Sequence, residues 1–382
     1  MSKKRAIIIR TCLLDTDTRV AKEIDVLRAS GYDVTLLGWD RQGNTAPPEP
    51  GENPHREIRL RLKAPLGVKI LPFLPIWWCF EFFQLMVTRW DIAHAVDFDT
   101  LLPAVITGRL KGKPVIYEMQ DTYEDKIVLP KPVRYLAVQI DKLFLRLASA
   151  VVVIDKEQIE ELAGIPHHHV VAVYDSPPDA PGNIDIITEK NQAFTLFYDG
   201  GLYKSRRLRL ENILAAVKSL EDVRIFITGY GDLSDEIEAW CRQMPDRAQF
   251  LGRVSYDEVL RRSLAADLLF AIRNPVIPEQ RYICGSKLLK AMMCGKPVLA
   301  SKGTSAASKV TEENCGLLVD ADSVEEIRNA IIKLKDNPGL CRELGANARK
   351  AYEQRYDWHI MEQRLINLYQ GLGSETGPGT QQ

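Results

Sequence analysis

Between Cys284 and Ser301 the chain reads CGSKLLKAMMCGKPVLAS, which assembles the parts of an anion site in one short run. Gly285 lets backbone amides approach a ligand closely, and Ser286 can accept a hydrogen bond from a free helical amide, so the pair opens a helix. Leu288, Leu289 and Met292 recur at helical spacing and face a sheet. Gly295 ends the helix, and Pro297 blocks its continuation. Val298 to Ala300 follows as a short parallel strand. Unpaired amides at a helix start beside Lys287 attract a phosphate, and the ends of α/β crossovers are where such sites collect. An ordinary αβ unit with a surface lysine fits the same letters, and this segment alone leaves both readings open.

Other chemistries find less support. Seven cysteines, Cys12, Cys79, Cys241, Cys284, Cys294, Cys315 and Cys341, form no CxxC pair. An odd, scattered set argues against a disulfide framework and for a reducing cytosol. His167, His168 and His169 are consecutive, and neighbours in sequence rarely converge on one ion, so they read as a solvated loop. A dinucleotide oxidoreductase needs a glycine-rich turn after its first strand, and RTCLLDTDTR after Ile9 has no glycine. Gly229 and Gly231, with Ser234 at the third glycine position, read as a tight βα turn.

These residues need elements to hold them. At 382 residues the chain exceeds one typical domain of about 150 residues. With 46% hydrophobic residues and a net charge of -1 it can bury a large core, and nothing points to nucleic acid as a partner. Strand and helix patterns alternate, which predicts parallel sheets covered on both faces. In the first half, strands are predicted at Ala6 to Ile9, Val34 to Leu37, Ile92 to Ala95, Pro114 to Tyr117 and Ala150 to Ile154. A further strand runs from Val170 to Val173. The second half repeats the plan at Ala193 to Tyr198, Val223 to Thr228, Leu268 to Ala271, Val298 to Ala300 and Gly316 to Val319. Ser255 with Glu258 and Ser323 with Glu326 are arranged as capping boxes. The polar stretch Asp175 to Asn191 reads as a linker. Expected are an N-terminal domain over 1–180, a C-terminal domain over 190–357, a helix over 358–372 and a disordered tail over 373–382.

At this level of detail the chain resembles the retaining, nucleotide-sugar-dependent glycosyltransferases of family 4. The likeness runs through DTRVAKEIDVLRASGYDVTLLGW, DIAHAVDFDTLLPA, PVIYEMQDTYED, VVAVYDSPPD, FYDGGLYKSRRL, FITGYGDL, FLGRVSYDEVL and GSKLLKAMMCGKPVLAS to the closing YDWHIMEQRLINLY. It implies the GT-B fold, two Rossmann-like α/β domains facing each other across a cleft, with 358–372 returning to the N-terminal domain. It implies no metal or other cofactor: the nucleotide-diphosphate sugar is a co-substrate. By that resemblance Gly200 and Gly201 form the diphosphate turn and Arg206 is the cation after it. Gly201 stands where many relatives carry a second basic residue. Lys287 joins Arg206 in stabilising the leaving diphosphate, with Gly285 and Ser286 supplying amides. Family members carry two glutamates separated by seven intervening residues, the second contacting the donor ribose. Tyr282 and Lys290 occupy those positions, and an ammonium cannot accept hydrogen bonds from a diol as a carboxylate does. Glu279 is one substitute reader. In the first domain a histidine and an acid near the transferred sugar are replaced by Gln120 and Asp121. Asp97 is placed on the acceptor side, and Asp99 reads as a helix cap.

Val68 to Trp90 concentrates tryptophan and phenylalanine, but Pro72, Pro75, Glu81 and Gln84 interrupt it, which argues against a bilayer span. Arg59, Arg61, Lys63, Lys69 and Arg89 flank it, the pattern of peripheral contact with anionic lipid. Ile76, Phe80, Phe83 and Val87 equally make a core-facing stripe. The sequence expectation is a cytoplasmic glycosyltransferase, at or near the inner face of the membrane, moving a sugar from a nucleotide sugar to a hydroxyl of a glycan or lipid-linked acceptor. The alternative is a non-catalytic protein of the same fold that binds nucleotide sugar or glycan as an assembly partner.

Overall fold

The computed structural model describes residues 3–11, 18–41, 55–65, 67–120, 139, 143–161, 169–179, 193–204 and 209–374. The chain forms two compact units, residues 1–174 with 361–382, and residues 175–360. The strands are β1 Arg5–Arg10, β2 Asp33–Asp40, β3 Arg56–Arg61, β4 Ile92–Val96, β5 Val115–Met119, β6 Ala150–Val153, β7 Val170–Ala172, β8 Phe194–Gly201, β9 Val223–Tyr230, β10 Ala248–Phe250, β11 Leu268–Ala271, β12 Val298–Ser301 and β13 Gly316–Val319. Helices of eight residues or more are α1 Thr18–Ala29, α2 Leu74–Val87, α3 Phe98–Lys111, α4 Leu210–Lys218, α5 Ser234–Arg242, α6 Tyr256–Ala265, α7 Ser286–Met293, α8 Ser305–Glu312, α9 Val324–Lys335, α10 Pro338–Ala351 and α11 Trp358–Ser374.

The first unit holds a seven-stranded sheet in the order β3-β2-β1-β4-β5-β6-β7, and the second a six-stranded sheet in the order β10-β9-β8-β11-β12-β13. Every strand pair is parallel. In both sheets the order reverses beside the first strand, β1 or β8, and ligands collect outside the carboxyl ends of strands at such a switch point. Ile7, Ile8 and Ile9 in β1 and Leu196, Phe197 and Tyr198 in β8 are buried, as strands covered on both faces must be.

Two strands escaped sequence reading, and both lie at an outer edge. β3 is REIRLR, with all six positions only half-buried or exposed, and β10 is three residues long. Edge strands face a neighbour on one side only, so they carry charge and lose the apolar run that marks the centre.

The domain boundaries also differ from expectation. The first unit ends at Tyr174, not 180, and the break before the last segment falls inside α11, at 360/361. Asp175–Asp179 is packed on the second unit instead of forming a free linker. Arg349 holds both carboxylate oxygens of Asp179, at 2.6 and 2.7 Å, and the Tyr352 hydroxyl donates to the Pro177 carbonyl at 2.9 Å. Residues 180–192 lie outside the described residues. The helix over 358–372 continues through Ser374, so residues 373 and 374 are not tail, and 375–382 lie outside the described residues. In the first unit α11 buries Met361, Leu365, Leu368, Tyr369 and Leu372, and the Tyr369 hydroxyl lies 2.9 Å from His94 Nδ1 in β4.

Within α2 the buried face is Leu74, Trp77, Glu81 and Leu85, not the predicted stripe. Ile76, Phe83 and Val87 are 50%, 59% and 58% exposed, and Phe80 is half-buried against the core. Both stripes have helical period, so spacing alone could not choose between them. The stripe with the larger side chains at its centre, Trp77 stacked on Trp39 at 5.8 Å, took the core. By length and composition the helical stretch Lys69–Val87 is apolar enough to cross a bilayer.

Candidate functional site

In the second unit the site is built where β8 ends. Asp199-Gly200-Gly201 follows buried Tyr198, and Gly200 has φ 137°. A Cβ at Gly200 would stand 2.6 Å from Lys287 Cε and 2.8 Å from Nζ, so the lysine lies directly across this backbone. From the other side, Gly229 brings β9 so close that a side chain there would collide with the Gly200 carbonyl. The pair Gly229 and Gly231 thus serves close packing of the turn. Lys287 Nζ donates to the Tyr198 hydroxyl at 2.5 Å and sits 3.8 Å from the centre of its ring. That contact fixes an ammonium over the glycine turn.

Lys287 is in the first turn of α7. Gly285, not Ser286, is the N-cap residue, and having no side chain it makes no cap bond itself. Ser286 is exposed and is the first residue of the helix, not its cap, contrary to its expected capping role. A side chain at Gly285 would collide with Arg273 Nη1, so a second cation lies against this helix start. Arg273 follows β11, and its amide is held by Ser301 Oγ at 2.9 Å. A glycine turn, two cations and the start of a helix form a seat for phosphate. Sequence reasoning missed Arg273. Its only signal was a polar residue two positions after a buried strand.

Lys290 is buried and forms an ion pair with Asp199 Oδ1, their side chains 8% and 21% exposed. A buried ammonium is tolerated only with such a partner. Tyr282 lies in the short helix Pro278–Tyr282, its ring beneath the Arg281 guanidinium at 5.3 Å. It joins neither Lys287 nor Lys290. Arg206 and Arg207 lie outside the described residues, as do His167 and His168, and the side chain of Glu279 is likewise not described. Of the flanking basic residues, Lys204 pairs with Glu236 and Arg209 with Asp322.

In the first unit the predicted acceptor-side residues do meet, but as a buried cluster. Asp97 starts α3 with φ 65°, pairs with Arg10, and accepts from the Gln120 amide at 3.1 Å. Arg10 also donates to Gln120 Oε1 at 3.1 Å, and Gln120 Nε2 donates to Glu118 at 2.7 Å. Asp97 occupies the cap position without a side-chain cap bond. Asp99, read as a cap, instead accepts from Thr11 Oγ1 at 2.6 Å. Asp121 lies outside the described residues.

Deeper in the same unit, Glu23, His94 and Glu118 bring their ligand atoms within 4.8 Å of one another. Arg19 already stands among them, 2.7 Å from Glu118 and 3.2 Å from Glu23. The cationic place in this cluster is therefore taken by a guanidinium. Burial alone would raise the Glu118 pKa, yet Arg19 and His94 together hold it well below the usual carboxylate range. Glu81 behaves oppositely: fully buried, without a hydrogen-bond partner and close to Asp99, its pKa is pushed well above the usual range.

Comparison with known proteins adds to this geometry. Residues 16–175 match the glycosyl transferase 4-like domain, and residues 190–351 match glycosyl transferases group 1. Over 153 residues the chain is 29% identical to a GDP-mannose-dependent monoacylated alpha-(1-6)-phosphatidylinositol monomannoside mannosyltransferase of Corynebacterium glutamicum, covering 39% of each chain. It is 25% identical over 171 residues to a phosphatidyl-myo-inositol mannosyltransferase of Mycobacterium leprae, covering 45% of this chain and 44% of that one. The chain thus spans less than half the length of these curated relatives. Among solved structures, sucrose-phosphate synthase from Thermosynechococcus elongatus superposes with a TM-score of 0.74 at 18% identity, over 98% of this chain and all of that one. Anabaena HepE in complex with UDP superposes with 0.71 at 16% identity, over 96% and all of the two chains.

Proposed function

The chain belongs to the family 4-like glycosyltransferases of GT-B fold, and from that premise we propose that it moves a sugar from a nucleotide-diphosphate donor to a hydroxyl of a glycan or lipid-linked acceptor. The observation that carries this reading is Lys287 held across Gly200 by Tyr198, with Arg273 against Gly285. When the glycosidic bond breaks, negative charge grows on the leaving diphosphate. Cations and amides fixed beforehand stabilise that charge without reorganising, which is the largest single contribution in many enzymes. Arg206, six residues after Gly200 in the basic run, is proposed as a further cation of the same seat.

No protein nucleophile is assigned. In the proposed retaining route a donor phosphate oxygen takes the acceptor proton, and the sugar is delivered to the face the diphosphate leaves. The charge is met by the chain's own cations, with no metal in the proposal. The exposed apolar face of α2, with Arg61, Lys63, Lys69 and Arg89 exposed nearby in sequence, is proposed to rest on an anionic membrane surface. With that contact we propose a cytoplasmic location and a lipid-linked acceptor.

The test is a thermal-shift screen with UDP, GDP, UDP-glucose and GDP-mannose, followed by donor turnover with acceptor glycolipids. Binding with turnover supports the enzyme. Tight binding without turnover for any donor replaces it with a non-catalytic nucleotide-sugar binder, and no binding at all rejects both.

A further inference from the structure

Asp199 has a feature that the phosphate seat does not explain. Its carboxylate directly precedes Gly200, and its Oδ1 is engaged by Lys290, which is itself buried. Among the described residues its Oδ2 takes no hydrogen bond, and the side chain keeps 21% of its surface exposed, which leaves acceptor capacity for a ligand. Asp199 adjoins Gly200, across which Lys287 lies, and a carboxylate left unrestrained there would compete for that cation. Here a third cation, Lys290, restrains it from within the protein, while Lys287 is occupied by the Tyr198 hydroxyl and ring. The two lysines stand one turn apart on α7 and attach to adjacent residues of β8, one to each. An ionised carboxylate has only acceptor sites, so its free oxygen calls for a donor on the ligand. Beside a phosphate seat, the donor of matching chemistry is a sugar hydroxyl.

We propose that Asp199, positioned and charge-balanced by Lys290, reads a hydroxyl or vicinal diol adjacent to the bound phosphate. This makes it a specificity residue of the site. The ion pair then is a reader with its support and not a relic of lost function. The inference rests on the donor-site reading above and goes beyond it by assigning what lies next to the phosphate. Two hydroxyl sources are compatible with it, the ribose of the nucleotide and the sugar to be transferred.

The experiment is titration calorimetry on the full chain with UDP or GDP, its 2′,3′-dideoxy form, and UDP-glucose or GDP-mannose. Wild type should prefer the ribonucleotide over the dideoxy form, or the nucleotide sugar over the plain diphosphate, by about ten-fold or more, since a site built to bond a hydroxyl discriminates against its absence. Asp199→Asn should remove that preference and leave the affinity for the ligand lacking the hydroxyl within about two-fold, the resolution of a difference far below one ten-fold step. Loss of the ribose preference identifies ribose as the source, and loss of the sugar preference identifies the sugar. The double variant Asp199→Asn/Lys290→Gln leaves no buried ion unpaired and should behave as Asp199→Asn does, which guards against a folding defect. If both preferences survive in both variants, the proposal is overturned while the donor site stands. If wild type binds none of the ligands, the donor-site reading falls, and this proposal with it.

Discussion

At single residues, two positions are held in conformations or states that one atom would upset. Gly200 combines φ 137° with Lys287 packed where a Cβ would be. Gly200→Ala should therefore destabilise the protein by about 1–3 kcal/mol, the cost of a non-glycine residue in such a region. It should also weaken nucleotide-diphosphate binding at least about ten-fold by displacing the ammonium. A Lys287→Met control should lose the binding and keep the stability; equal binding by Gly200→Ala and wild type would remove this turn from the site. Glu81 gives a pH-dependent prediction. Burial, then the charge of Asp99, raises its folded pKa, so the folded state keeps the proton over a range where the unfolded chain releases it. Its contribution is fully present below the ordinary carboxylate range near pH 4.5 and is lost as pH rises toward the raised value. Glu81→Gln should accordingly gain on wild type as pH rises, and urea unfolding at pH 5 and pH 8 reads the difference. A gain that is no larger at pH 8 would show that Glu81 is already ionised. Neither the Asp199–Lys290 pair nor the Arg273 contact was legible in sequence. They join residues 91 and 12 positions apart, and only the sheet order brings them together.

At the scale of elements, central strands and capped helices were readable because local chemistry decides them. Ser255 and Ser323 accept from the Glu258 and Glu326 amides, as the sequence predicts. The reciprocal half of each capping box is absent, since Glu258 turns to Arg262 and Glu326 to Lys302. Competing partners outside the first turn settled those side chains. In α2 the sequence offered two apolar stripes, and tertiary packing chose Trp77 and Leu85 for the core. The stripe left outside, with Phe83, Met86 and Val87 exposed, is available for lipid. Wild-type protein should float with vesicles rich in anionic phospholipid. Phe83→Glu with Val87→Glu should lower the bound fraction at least about ten-fold, since burying one such side chain is worth about 1.5–3 kcal/mol. Because both residues are exposed, the folded stability of that variant should match wild type. Wild type remaining at the bottom of the gradient would end the membrane proposal.

For the whole molecule, the decisive feature is that the first unit is not continuous in sequence. It takes residues up to Tyr174 and then recruits the chain again from Met361. The helix expected over 358–372 does pack, through buried Met361, Leu365, Leu368 and Leu372. The polar partner in the core was invisible in sequence, because Tyr369 and His94 are 275 positions apart. That bond also ties α11 to the Arg19, Glu23 and Glu118 cluster, through the other ring nitrogen of His94, 3.1 Å from Glu118. Truncation after Asp357 therefore exposes an apolar stripe on the sheet and strips the buried cluster of its hydroxyl partner. Five buried side chains at roughly 1.5–3 kcal/mol each amount to on the order of 10 kcal/mol, comparable with the entire stability of a domain. The truncated chain should lose the near-ultraviolet circular dichroism of the tryptophans, of which Trp39, Trp77 and Trp90 are fully buried in the first unit. It should also lose amide-exchange protection of β1 and β4. The second unit keeps its own core from Leu196 to Leu344. Its β8 and β12 amides should stay protected, so exchange measured segment by segment separates the two fates. Protection of β1 and β4 at the wild-type level after truncation would show that α11 is an appendage and not part of the first unit's core.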